Sequence, residues 1–129
     1  MLPNEAAVHV VDDDEAIRAS LTVLLESAGL NVRTYASANG FLEALSHGVR
    51  GCVVADIRMP DISGLELLRR LRMMGVALPV IVITGHADVL LAIEAVKSGA
   101  VDFIEKPFDD ERLLSAIHAA LARRRSSPR

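Results

Sequence analysis

Val80-Ile81-Val82-Ile83-Thr84-Gly85 places four β-branched aliphatic residues in a row with no polar alternation. A strand with that pattern is covered on both faces, and such strands belong to parallel sheets sandwiched between helices. On either side of it the chain repeats the theme. Short runs rich in β-branched residues lie at about 7–11, 31–35, 51–55, 79–84 and 101–104. The stretches between them have helical period. Ile17, Leu21, Leu24, Leu25 and Ala28 share one face of a first helix that stops at Gly29. A second helix, roughly 38–47, carries Phe41, Leu42 and Leu45 and stops at Gly48. A third, about 64–75, carries Leu65, Leu68 and Leu71 and ends at Gly75. The fourth, 88–98, is expected to have Asp88 as its N-cap and Gly99 as its stop, and the fifth, 110–123, aligns Leu113, Leu114, Ile117 and Leu121. Five β-α units in strict alternation predict an α/β, doubly wound five-stranded parallel sheet with strand order 2-1-3-4-5, the flavodoxin-like arrangement.

The chain has 129 residues, one domain's worth, and an apolar fraction of 51% that suits a core-rich fold. A formal net charge of -3 and 3% aromatic residues provide neither a basic surface nor stacking platforms for nucleic acid. The N-terminus lacks a basic leader, and no apolar stretch approaches the roughly 18 residues of a spanning helix, so no membrane association and a cytoplasmic location are expected. Cys52, the single cysteine, lies inside a strand and reads as a small buried hydrophobe. The tail Arg123-Arg124-Arg125-Ser126-Ser127-Pro128-Arg129 changes character, so a domain over 1–124 and the start of a linker or tail over 125–129 are expected.

Three strands end in charge. Asp12-Asp13-Asp14 follows Val8-His9-Val10-Val11, Asp56 follows Cys52-Val53-Val54-Ala55, and Lys106-Pro107 follows Val101-Asp102-Phe103-Ile104-Glu105. In an open α/β sheet the carboxyl ends of the strands share one edge, where ligands bind. Carboxylates gathered there repel one another unless a cation fills the gap, and a lysine beside them suits a phosphoryl group. Asp14 reads instead as the N-cap of the first helix. His9, His47 and His118 have no metal-ligand spacing and read as structural or solvated.

The fragments V-V-D-D-D, D-I-R-M-P-D-I-S-G-L-E-L, V-I-T-G-H and V-D-F-I-E-K-P-F occur in order, each on its proper element. Together they resemble the receiver domains of two-component response regulators over about residues 6–124. The wording is most similar to FixJ-type regulators of nitrogen-fixation genes, whose output is a DNA-binding helix-turn-helix. The resemblance implies that Asp56 is the phosphoacceptor, that Asp12 and Asp13 with Asp56 and the backbone carbonyl of Arg58 hold Mg²⁺ (or Mn²⁺), and that Lys106 pairs with the phosphoryl group. It implies a cis Lys106–Pro107 bond, a phosphoryl contact from Thr84, and a switch pair of Thr84 and Phe103. Arg58 and His86 then border the path of hydrolytic water.

The implied function is a switch rather than a turnover enzyme. A sensor histidine kinase phosphorylates Asp56, and the domain catalyses its own modification and its reversal. An aspartate-based phosphatase would need a D-x-D pair on the first strand, whereas this chain has adjacent Asp12-Asp13 and its nucleophile on the third. A flavin module would need a Ser/Thr/Gly phosphate loop where three aspartates stand. FixJ-type receivers dimerise once phosphorylated. On the fourth helix Val89, Ala92 and Val96 are expected to face the sheet with Ile93 at their border, leaving Leu90, Glu94 and Lys97 to an interface of Leu90, Ile93, Glu94 and Lys97. The sequence shows no helix-turn-helix before Arg129. DNA contact is thus expected only through a C-terminal domain outside this chain, the alternative being a stand-alone phosphorelay or adaptor protein.

Overall fold

The computed structural model describes residues 6–126, without the side chains of 47 and 124–126. Its strands are β1 (Ala7–Val11), β2 (Val32–Tyr35), β3 (Gly51–Asp56), β4 (Val80–Thr84) and β5 (Asp102–Glu105). The helices are α1 (Glu15–Ser27), α2 (Ala38–Ala44), α3 (Gly64–Met73), α4 (Val89–Lys97) and α5 (Asp110–Ser126). Every neighbouring strand pair is parallel, and the order is β2-β1-β3-β4-β5, as expected. Helix α5 continues through Ser126, so the first two residues of the expected tail are helical; 127–129 lie outside the described residues.

Strand side chains alternate between two cores. Val8, Val10, Cys52, Val54, Ile81, Ile83 and Ile104 pack with Leu21, Leu25, Leu113 and Ile117 from α1 and α5. Val11, Val53, Ala55, Val80 and Val82 pack with Phe41, Leu68, Leu71, Ala92 and Ala95 from α2, α3 and α4. The continuous Val/Ile runs are therefore explained: both faces are dry. Cys52 is fully buried, which pushes its thiol up to about 12. His9 is buried too, between Tyr35 and Phe41. Its Nε2–H donates to the Arg50 carbonyl at 2.8 Å and its Nδ1 accepts from the Tyr35 hydroxyl at 3.0 Å. Burial pushes the imidazole below its ordinary value, so it is a neutral structural residue.

Helix ends follow sequence chemistry with one exception. Asp14, Ser37 and Ser63 accept hydrogen bonds from the first-turn amides of α1, α2 and α3. Gly29, Gly48, Gly75 and Gly99 all have positive φ where helices were expected to stop. Asp88, the expected N-cap of α4, makes no side-chain cap bond, because its carboxylate is held by Arg58. The sheet-facing stripe of α4 also differs from expectation. Ala92 and Ala95 are buried, whereas Val96 is 40% exposed and Val89 only half-buried. Two alanines one turn apart let the helix lie close on β4 and β5, and that close contact rotates the larger Val96 to the rim.

Candidate functional site

The carboxyl ends of β1, β3 and β5 bring the charged residues together as the topology requires. One carboxylate oxygen from each of Asp12, Asp13 and Asp56 lies within 4.8 Å of the others. Asp12 is buried, Asp13 is exposed and Asp56 is half-buried. Asp12 is held in place locally: its Oδ1 accepts the Asp14 N–H at 2.8 Å, and its backbone carbonyl accepts from Arg18 Nη1 at 2.7 Å. Lys106 Nζ stands 3.8 Å from Asp56 Oδ2. The Lys106–Pro107 peptide is cis, and the Lys106 N–H donates to the Thr84 carbonyl at 2.7 Å, tying the β5 end to the β4 end.

Burial and mutual repulsion raise the carboxyl groups of Asp12 and Asp56. Desolvation is the main cause for both; Asp56 and Asp13 add to it at Asp12, while Lys106 opposes it at Asp56. A cluster whose donors are all oxygens, under-compensated by one ammonium, fits a hard divalent cation such as Mg²⁺ or Mn²⁺. Asp12, Asp13 and Asp56 would hold it, with the Arg58 carbonyl following Asp56 in the same loop.

Glycine shapes this corner. A Cβ on Gly64, the first residue of α3, would lie 2.6 Å from the Asp56 carbonyl oxygen, and the Gly64 N–H donates to the Ile57 carbonyl at 2.9 Å. The helix start thus supports the Asp56 loop by close approach. Asp61 ties the same loop to α2, its Oδ2 accepting from the Asn39 N–H at 2.9 Å. Neither residue was singled out by sequence reasoning, although both lie inside the D-I-R-M-P-D-I-S-G fragment.

Thr84 is fully buried at the end of β4, and its hydroxyl donates to the Gly85 carbonyl at 2.9 Å rather than pointing at Asp56. To reach a phosphoryl oxygen it must turn. Phe103 is half-buried against the core formed by α2, α3 and α4. Arg58 and His86 are both paired: Arg58 Nε donates to Asp88 Oδ2 at 2.9 Å and its Nη2 to Asp88 Oδ1, and His86 Nδ1 lies 2.8 Å from Glu105 Oε2. The α4 residues fall as an exposed group, with Leu90 81% and Ile93 38% exposed and Lys97 exposed. Glu94 reaches across to α3, accepting from Arg69 Nη2 at 2.8 Å.

Comparison with known proteins agrees with the fold. The response regulator receiver domain model matches residues 8–118. The transcriptional regulatory protein FixJ of Azorhizobium caulinodans is 55% identical over 122 residues, covering 95% of this chain and 58% of that protein. Full-length FixJ from B. japonicum superposes with a TM-score of 0.90 at 46% identity, covering 96% of this chain and 61% of that one. The crystal structure of FixJ-N gives 0.87 at 48% identity, covering 92% and 94%. The chain thus spans little more than half the length of the full-length FixJ proteins it matches.

Proposed function

The chain belongs to the response regulator receiver domain family, and we propose that it accepts a phosphoryl group from a sensor histidine kinase on Asp56. The observation that carries this reading is the convergence of Asp12, Asp13, Asp56 and Lys106 at one sheet edge. An Asp56 carboxylate oxygen attacks phosphorus, the bond from phosphorus to the kinase histidine nitrogen breaks, and that nitrogen keeps the electron pair. Bound Mg²⁺ supplies charge neutralisation for the phosphoryl oxygens and the crowded carboxylates. Lys106 pairs with a phosphoryl oxygen, and Thr84 turns from Gly85 to donate to another. A groove of about 860 Å³ opens beside Asp12 and Lys106, lined by Ile17, Val23, Leu24, Pro107 and Phe108. A kinase helix seated there would present its phosphohistidine to Asp56.

Thr84 and Phe103 lie at the base of α4 and β5, so the modified site biases that face. Leu90, Ile93, Glu94 and Lys97 then form the interface of a homodimer. Transcription control follows through a DNA-binding segment outside this chain, as the FixJ relatives are named transcriptional regulators. In sedimentation velocity with Mg²⁺ and acetyl phosphate, the monomer is expected to become a dimer. Leu90→Asp and Lys97→Glu should each keep the phosphorylated protein monomeric while Asp56 is still modified. A wild-type protein that carries the phosphoryl group yet stays monomeric at high concentration contradicts the dimer and favours the adaptor.

A further inference from the structure

Helices α1, α2 and α3 each begin with a side-chain cap, and α4 does not, although Asp88 stands where its cap belongs. Asp88 is instead gripped in a two-bond fork by Arg58, thirty residues earlier and two residues past Asp56. This pair ties the Asp56 loop to the 3-10 turn His86–Asp88 that leads from Thr84 into α4. The Asp88 side chain is largely covered, whereas that of Arg58 is 73% exposed. The guanidinium is therefore the member free to swing. Its own backbone N–H is 3.5 Å from Asp56 Oδ1, so the residue is anchored beside the acceptor.

We propose that Arg58 is a positioning residue that carries the state of Asp56 to α4 by exchanging partners. In the unmodified domain its guanidinium holds Asp88; a phosphoryl group on Asp56 draws it away and releases the start of α4. A phosphoryl group, like a carboxylate, offers a pair of oxygens that can accept from both arms of the guanidinium, with more negative charge, and it arises on the same loop. Asp88, once free, recovers the position from which Asp14 caps α1, next to the exposed Leu90. The exchange acts on the loop that also carries Thr84. It rests on Asp56 being the phosphoacceptor.

Opposite signs test it. The full chain, as wild type and as Asp88→Ala, Arg58→Ala, Arg58→Lys and the double alanine variant, is modified with acetyl phosphate and Mg²⁺. Adduct formation is followed by intact mass, and the amides of 86–91 by NMR. Asp88→Ala frees the guanidinium and should speed phosphorylation by roughly two- to fivefold, the worth of one exposed ion pair. Arg58→Ala should slow it by a similar factor, with Arg58→Lys in between. Arg58→Ala should shift the 86–91 amides of the unmodified protein toward their phosphorylated positions, whereas Asp88→Ala and the double variant, which lack the capping carboxylate, should not reach them. A merely structural tie would change both rates in the same direction. That result, or amides of unmodified Arg58→Ala at wild-type positions, overturns the exchange while leaving Asp56 phosphorylated. A wild type that forms no Asp56 adduct overturns the phosphoacceptor reading and the exchange with it.

Discussion

Gly51→Ala should unfold this domain more readily than any other single methyl addition to a described glycine. Gly51 opens β3 with φ +117, and a Cβ there would lie 1.8 Å from the carbonyl oxygen of Ala7, its register partner on β1. Two costs add. A non-glycine residue at positive φ costs about 1–2 kcal/mol. The clash is with backbone in the middle of a sheet, so relief requires separating β1 from β3, which between them carry Asp12, Asp13 and Asp56. A loss of about 4 kcal/mol or more is a large share of the 5–15 kcal/mol that stabilises a typical domain. Gly29→Ala separates the two costs. Gly29 has φ +83 but no atom within 4 Å of its would-be Cβ, so only the backbone cost of about 1 kcal/mol applies. Denaturant unfolding should rank Gly51→Ala far below Gly29→Ala. Equal losses in the two variants would mean that the β1–β3 approach is not as close as described.

The acidic cluster produces the second large effect. Like charges a few ångströms apart at partly exposed sites cost on the order of 1–4 kcal/mol. Without divalent cation, Asp13→Asn should therefore raise the melting temperature. The wild type should gain roughly 2.7 kcal/mol at a hundredfold excess of Mg²⁺ over its dissociation constant, and Asp13→Asn should lose that response. The pH dependence has a definite sign. Asp12 and Asp56 have raised folded-state values, so between the ordinary 3.8 and those values the folded chain binds more protons than the unfolded one. Their contribution to stability in the absence of cation thus falls as pH rises through that window, and the cost is fully present above it. Mg²⁺ should reverse that slope. A variant that melts lower than wild type and still responds to Mg²⁺ would place the cation elsewhere.

What the sequence made legible was what depends on local pattern. Val80-Ile81-Val82-Ile83 is apolar on both faces because both faces are covered, and the positive-φ glycines at 29, 48, 75 and 99 mark helix stops by their missing Cβ. The three carboxylates were legible because strand ends in a parallel sheet share an edge. Asp88 does stand at the N-cap of α4, but its missing cap bond was not legible, because capping is a local rule and its actual partner, Arg58, arrives through the fold. Val96 was misplaced because periodicity weights large apolar residues, and here Ala92 and Ala95 make the contact. The Thr84 hydroxyl could not be oriented from sequence, since its acceptor is the neighbouring Gly85 carbonyl, a matter of rotamer. Gly51 and Gly64 matter through backbone atoms of other elements, which leave no periodic signature.

Chemical trapping of the acyl phosphate tests the central assignment most directly. The protein is incubated with acetyl phosphate and Mg²⁺, reduced with borohydride, digested and sequenced by tandem mass spectrometry. Reduction converts an aspartyl phosphate to homoserine and so marks the modified residue itself. The account predicts homoserine at position 56, absent when Mg²⁺ is chelated and absent in Asp56→Asn. Homoserine at 12 or 13 in the wild type, or an unmodified Asp56 under conditions that label a known receiver, would contradict it.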